Sequence, residues 1–168
     1  WVRNDATILS ETTTAPDESS VPWINLQDFI YQEGGTQSSG TSITSSIWLK
    51  AETPCAIGLS NPAGNIVTED QHSSSTVWGS NQQRRIQVTT EWQRFEISDT
   101  VVSGTTGAIG RLALDNRRST TANTVKIAIW GAQQEVGSFA TSTIITGSST
   151  VTRPADTYTS TATTVFDR

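Results

Sequence analysis

Tryptophan residues next to polar side chains offer the clearest binding chemistry in this sequence. Trp48, Trp92 and Trp130 each lie in a run where aliphatic and polar residues alternate. Arg94 lies two positions after Trp92. Side chains along a β-strand point alternately to opposite faces, so the phase of a run decides which residues share a face. In each run the tryptophan falls in the polar phase, opposite the aliphatic residues that would form a core.

This pattern is what a sugar-binding sheet would show, because pyranose rings stack their C–H faces on indole while polar side chains reach the hydroxyls. The candidate glycan-binding residues are therefore Trp48, Trp92, Arg94 and Trp130. Structural packing is the alternative, since indole rings also cap sandwich edges, pack beneath terminal arms and form subunit interfaces. Trp78, in a loop rich in Ser and Gly, and Tyr31 are further recognition candidates, although Trp78 could instead fold back on the sandwich.

The groups that catalysis needs are scarce. His72 is the one histidine and lies in a polar loop, where a solvated side chain is a simpler interpretation than a triad base. The carboxylates Glu69, Asp70, Glu96 and Asp115 stand in no recognisable glycosidase setting. One Cys and one His make a zinc site implausible. We therefore predict no enzyme activity and no cofactor.

Composition favours one all-β domain. The 168 residues can bury one core, and abundant Ser and Thr favour strands and turns over helices. Short apolar runs recur between clusters of Gly, Pro, Asn, Ser and Thr, without helical spacing. The predicted strands are 6–10, 23–32, 42–51, 55–60, 65–68, 84–89, 93–98, 108–114 and 124–131. Residues 33–40, which include Gly34-Gly35, are predicted to form a polar loop.

The charge of the chain limits the classes of partner that it could bind. A formal net charge of -5 argues against nucleic acid, because phosphate binding needs clustered cations. Arg84-Arg85 and Arg117-Arg118 are interpreted as solvated turns or salt-bridge partners.

No apolar stretch approaches the roughly 20 residues of a membrane helix, and no signal peptide is visible. Cys55 is the single cysteine, which fits a reducing cytoplasm, and its apolar neighbours predict a core position. The start at Trp1 suggests part of a longer protein.

The most specific pattern is W-G-A-Q-Q-E-V-G-S-F-A-T-S-T-I-I-T-G over residues 130–147, followed by T-R-P-A-D over 152–156. It resembles the segment that closes carbohydrate-binding-like jelly-roll modules in virion proteins of tailed bacteriophages. That family reads W-G-A-Q-x-E-x-G-x-F-A-T-S-Y-I-x-T and then T-R-x-A-D, so this chain differs by Thr143 in place of the tyrosine. Residues 46–51, 90–95 and the turn at 15–17 are similar to the same modules.

The resemblance, together with the strand pattern, implies a two-sheet jelly-roll β-sandwich over residues 1–137. An extended Ser/Thr-rich C-terminal arm is expected over 138–168, lying along the sandwich or across a neighbouring subunit. Jelly-roll modules of this kind often hold a structural calcium ion. The candidate carboxylates for such an ion are Asp5, Asp17, Glu18 and Asp156, and no other metal is predicted.

By the same resemblance, the chain is expected to be a non-catalytic bacteriophage virion protein that acts as an attachment or glycan-binding module of a tail or head fibre. It would be located in the virion, assembled in the bacterial cytoplasm, with other virion subunits and a host surface glycan as partners. A homo-oligomer is expected, and fibres of this sort are usually trimers. One alternative is a capsid or tail decoration protein whose exposed aromatics and C-terminal arm make subunit contacts. Another is an accessory carbohydrate-binding domain of a larger enzyme.

Overall fold

The computed structural model describes residues 1–60, 83–101, 108–117 and 124–144. These ranges are all β, as predicted, and they contain no helix long and apolar enough to cross a membrane. The strands are β1 (Val2–Thr14), β2 (Ser20–Gln37), β3 (Ser42–Ala51), β4 (Cys55–Ser60), β5 (Gln83–Val88), β6 (Gln93–Thr100), β7 (Ala108–Asp115) and β8 (Val125–Val136).

Several strands extend further than the sequence predicted, and β1, predicted over 6–10, runs from Val2 to Thr14 because it pairs with β2. β3 and β4 have the predicted bounds, whereas β2 continues to Gln37 because its second half pairs with β7. The prediction of a polar loop over 33–40 is therefore wrong for residues 33–37, which belong to β2. β8 continues past Gly131 to Val136 because it pairs with the first half of β3. The strand predicted at 65–68 lies outside the described residues.

The sandwich arises because β2 changes partner along its length. The strands follow the order β5-β4-β7-β2-β8-β3-β6, with β1 pairing β2. The first half of β2 pairs with β8, where Leu26 lies opposite Val125, and the second half pairs with β7, where Phe29 lies opposite Asp115. One sheet thus contains β8-β3-β6 and the other β7-β4-β5, while β1 and β2 span both. The predicted two-sheet β-sandwich is confirmed.

Two residues after β7 close the gap where β2 changes partner. The backbone N–H of Asn116 donates to the carbonyl of Asp28 at 2.8 Å, and its side-chain Nδ2 donates to the carbonyl of Leu26 at 3.0 Å. Arg117 Nε lies 2.9 Å from Asp28 Oδ1, and Arg117 Nη2 lies 3.0 Å from Asp115 Oδ2. These bonds give partners to backbone and charged groups at the junction. The sequence left two interpretations of Arg117, a solvated turn or a salt-bridge partner, and the structure shows salt bridges to Asp28 and Asp115.

Aliphatic side chains fill the space between the sheets. The side chains with no exposed surface include Ile47, Leu49, Leu59, Leu114 and Ile127. Cys55 belongs to the same cluster, and burial raises the pKa of its thiol. The predicted core position of Cys55 is confirmed. Because the aliphatic phase of β3 points inward, the opposite phase, which includes Trp48, points to the outside of the sandwich.

Candidate functional site

Trp130, Trp48 and Arg94 form a row across β8, β3 and β6. The antiparallel register places Trp48 opposite both Trp130 and Arg94. The two indole rings meet edge to face, with their centroids 6.1 Å apart and their planes at 62°. All three side chains are partly exposed on the outer side of this sheet, which we refer to as the outer face. The fold therefore brings three of the predicted glycan-binding residues together.

Gly131 determines which residues of β8 join that row. Its φ of +57° lies in the left-handed region, and the register between β8 and β3 slips by one residue at this point. Such a bulge places two residues of one strand against one of its partner and reverses the phase beyond it. Gln133 and Glu135 therefore share the outer face with Trp130, whereas Ala132 packs against the core.

Residues 138–144 follow the end of β8 and cross the outer face; we refer to them as the strap. Glu135 accepts two hydrogen bonds from Thr141, from the backbone N–H at 3.0 Å and from the hydroxyl at 2.5 Å. The side-chain oxygen of Gln133 accepts the backbone N–H of Ile144 at 2.8 Å. The Gln and Glu of the W-G-A-Q-x-E pattern thus give partners to the strap backbone, which lies in no β ladder.

The row also contacts the strap through its polar atoms. Arg94 Nη2 donates to the carbonyl of Thr141 at 2.5 Å and to Ser46 Oγ at 2.9 Å. Trp48 Nε1 donates to Thr143 Oγ1 at 3.1 Å. Thr143 is the position where this chain differs from the phage pattern, and its hydroxyl supplies the acceptor for the indole. The strap is the described part of the predicted C-terminal arm, and it lies on the sandwich.

The end of β1 and the loop that follows it contact the other two indoles, Trp92 and Trp130. Trp92 Nε1 donates to the carbonyl of Thr14 at 2.7 Å. A hydrogen bond from the Ser19 side chain lowers the pKa of Asp17, and a bond from the Trp130 side chain acts in the same direction. Both rings are partly exposed. The tryptophan side chains of this face are thus fixed by contacts within the chain, and their ring surfaces remain partly open to solvent.

The remaining predicted recognition residues do not join this face. Tyr31 lies in the second half of β2, opposite Ala113 of β7, and therefore belongs to the other sheet. Its ring stacks on Phe29, with centroids 6.0 Å apart and planes at 25°. Trp78 and His72 lie outside the described residues. The glycan-binding role of each predicted residue stays a prediction.

Within the described ranges, no group of three or more His, Cys, Asp or Glu side chains could hold a metal ion. Asp17 accepts hydrogen bonds from the backbone and hydroxyl of Ser19. Asp5 is an exposed residue of β1 with a φ of +46°. Asp156 lies outside the described residues. Calcium binding through these carboxylates stays a prediction.

Sequence reasoning missed Gln133 and Glu135, which hold the strap. A signal for them was present, since they stand two residues apart, the spacing that places side chains on one face of a strand. The bulge at Gly131 concealed their relation to Trp130. Simple alternation assigns residues 130, 132 and 134 to one face, and the bulge that contains Gly131 reverses that assignment.

Glu135 makes the attachment of the strap dependent on pH. Burial acts to raise its pKa, but hydrogen bonds from Thr141 and Gln133 and the charge of Arg94 outweigh burial, so the pKa lies below its ordinary value. A lowered carboxylate pKa contributes stability that is present above the unfolded value of about 4.3 and is lost as pH falls through the folded value. We expect the NMR shift of the Thr141 amide to titrate with a midpoint below that of an ordinary glutamate.

The Glu135→Gln variant is the control for this titration, because glutamine keeps one of the two acceptor oxygens that Thr141 uses and carries no charge. The acid titration of the Thr141 amide should disappear in that variant. A midpoint at the ordinary glutamate value in the wild type would contradict the lowered pKa.

Comparison with solved structures identifies the class of fold. The chain is similar to a CBM4 carbohydrate-binding module, with a TM-score of 0.52 and 17% identity over 79% of this chain and 78% of that one. It is similar to the enzymatically active domain of tailspike protein 4 from bacteriophage CBA120, with a TM-score of 0.49 and 13% identity over 78% of this chain and 17% of that one. For TmCBM61 in complex with β-1,4-galactotriose, the TM-score is 0.45 and the identity 12%, over 79% and 87% of the two chains.

The fold is therefore a β-sandwich similar to that of the CBM4 carbohydrate-binding module. At 17% identity, the likeness to the CBM4 module extends to the fold alone. No family model matches the chain, and no curated protein matches it by sequence.

Proposed function

We propose that this chain is a non-catalytic glycan-binding module that attaches a bacteriophage virion to its host. The observation that carries the proposal is the row of Trp130, Trp48 and Arg94 on the outer face. Indole rings provide a flat apolar surface for a sugar ring, and a guanidinium donates hydrogen bonds to oxygen atoms. A fold of the carbohydrate-binding-module type supports this reading of the row.

Trp130 and Trp92 provide the stacking surface that is independent of the strap. The Trp92 indole donates to the carbonyl of Thr14, the last residue of β1, and the Trp130 ring packs edge to face on Trp48, so both rings are held in place before a ligand arrives. A preorganised aromatic side chain loses little conformational entropy on binding. The partly exposed ring surfaces are then the contacts that we assign to the sugar.

The test is a glycan array of bacterial O-polysaccharides and capsular polysaccharides, followed by calorimetry with a bound glycan. Trp130→Ala is expected to weaken binding at least tenfold, which corresponds to about 1.4 kcal/mol, because it removes a stacking surface. Trp1→Ala is the matched control. Trp1 is a 46% exposed tryptophan just before the first residue of β1. Trp92 bonds to Thr14 at the opposite end of that strand, so Trp1 lies away from the proposed stacking surface.

Trp1→Ala should bind the glycan as the wild type does. The proposal fails if no polysaccharide on the array binds, or if Trp130→Ala and Trp1→Ala bind equally well. Circular dichroism of both variants shows whether a loss of binding reflects a loss of folding.

A second candidate function is that of a decoration protein whose subunits contact one another through the turn after β8. Val136 and Phe139 flank this turn and are 69% and 70% exposed. Exposed large apolar side chains that lie together are typical of interaction surfaces. An oligomer that dissociates when Phe139 is replaced with serine would support this candidate, because the contact would then depend on the exposed side chains of the turn, and sedimentation velocity measures that change.

A further inference from the structure

The strap places threonine hydroxyls against the polar side chains of the outer face. Thr141 Oγ1 donates to Glu135 Oε1 at 2.5 Å, and Thr143 Oγ1 accepts from Trp48 Nε1 at 3.1 Å. On the outer face, the Glu135 carboxylate thus accepts a hydrogen bond from a hydroxyl, and the Trp48 indole N–H donates a hydrogen bond to another hydroxyl. A pair of acceptor and donor groups beside an aromatic surface is suited to bind the hydroxyls of a sugar ring.

The same face supplies further polar groups around these hydroxyls. Arg94 Nη2 donates to the carbonyl of Thr141 at 2.5 Å, and the side-chain amide of Gln133 donates to the hydroxyl of Thr141 at 3.4 Å. Glu135, Gln133, Arg94 and Trp48 therefore surround the two threonines with a carboxylate, an amide, a guanidinium and an indole N–H. Each of these groups can bond a hydroxyl, whether the hydroxyl belongs to threonine or to a sugar.

We propose that the strap is a tethered pseudo-ligand whose threonine hydroxyls occupy the positions that glycan hydroxyls take when the strap is released. This inference rests on the proposed glycan-binding function and extends it. It assigns Glu135, Gln133 and Arg94 to hydroxyl recognition, beside the stacking surface of Trp130 and Trp92. A segment tethered by a short linker competes at an effective concentration on the order of millimolar. The wild-type chain therefore binds glycan more weakly than a chain with a released strap.

The strap is attached in a way that permits release without unfolding. Its bonds to the outer face are made by side chains of the face, and none of its residues belongs to the buried clusters between the sheets. Phe139, its largest apolar side chain, is 70% exposed. Release would therefore exchange hydrogen bonds to protein for hydrogen bonds to water or glycan, and the core would stay intact. Segments with few buried apolar contacts open at a fraction of the global unfolding free energy.

The full-length double variant Thr141→Val, Thr143→Val tests the proposal. Valine keeps the β-branched shape of threonine and lacks the hydroxyl, so the strap loses its side-chain bonds to Glu135 and Trp48. Affinity is measured by calorimetry with the purified O-polysaccharide or capsular polysaccharide that the array selects. We expect the double variant to bind at least tenfold more tightly than the wild type. Thr7→Val, at an exposed position of β1, is the matched control and should bind as the wild type does.

Amide hydrogen exchange at Thr141 reports on the strap without reference to affinity. Exchange should be faster in the double variant, and it should accelerate in the wild type when the polysaccharide is added. Equal affinities of the double variant and the wild type, for a glycan that Trp130→Ala weakens, would overturn the pseudo-ligand and leave the glycan-binding function standing. If neither protein binds any polysaccharide while exchange shows a released strap in the double variant, both proposals are overturned.

Discussion

Replacing Ile47 with alanine is expected to lower the free energy of unfolding by about 2–5 kcal/mol. Ile47 has no exposed surface and lies in β3, which has a paired strand on each side. Protein interiors are close-packed, so the deleted methyl and methylene groups leave a cavity that the flanking strands cannot easily fill. Urea unfolding followed by circular dichroism measures the loss through the midpoint and the slope of the transition.

Ile47→Val is the matched control for this variant. It removes one methylene group from the same position and is expected to cost about 0.5–1.5 kcal/mol. If Ile47→Ala costs no more than Ile47→Val, then Ile47 does not lie in a packed layer between two sheets. Neither variant alters the outer face, because the Ile47 side chain lies in the core and points away from the strap.

The second large effect is expected from Gly131→Ala. The left-handed φ of +57° costs an L-residue about 1–2 kcal/mol. A Cβ at this position would also lie 2.8 Å from Thr143 Cγ2 and 3.2 Å from Trp48 Cδ1, so the strap has to move. With the loss of strap hydrogen bonds, the total is expected to reach about 2–4 kcal/mol. Urea unfolding measures the total, and amide exchange at Thr141 shows whether the strap is released.

Gly40→Ala isolates the backbone contribution to that total. Gly40 has a φ of +82°, and a Cβ built there meets no atom within 4 Å. Its replacement should therefore cost about 1–2 kcal/mol and leave exchange at Thr141 unchanged. Equal losses in Gly131→Ala and Gly40→Ala, with a protected Thr141 amide in both, would show that the strap does not pack against Gly131.

The residues of the W-G-A-Q-x-E pattern have structural roles that the resemblance to phage modules did not predict. Trp130 forms part of the aromatic row, and Gly131 makes the bulge that reverses the phase of β8. Gln133 and Glu135 then face outward and bond to the strap. The strap in turn contains the A-T-S part of the same pattern. The pattern therefore encodes side chains of the outer face together with part of the strap that bonds to them.

The sequence by itself was sufficient to predict the all-β class, the bounds of β3 and β4, and the inward phase of Ile47 and Leu49. These features are local, because alternation along a strand follows from backbone geometry at each residue. The end of β2 was predicted wrongly since residues 33–37 are polar and contain two glycines. Their pairing with β7 extends the strand, and a pairing partner is not visible in a local pattern.

Only the tertiary structure decided which side chains meet on the outer face. Trp48, Trp130 and Arg94 lie on three strands, and their register depends on how the whole sandwich packs. The same holds for the strap, because Thr143 reaches Trp48 across much of the chain. Local residue types provide the hydrogen-bonding groups. Long-range packing determines which of those groups bond to one another, since side chains distant in sequence become neighbours only after the sheets have formed.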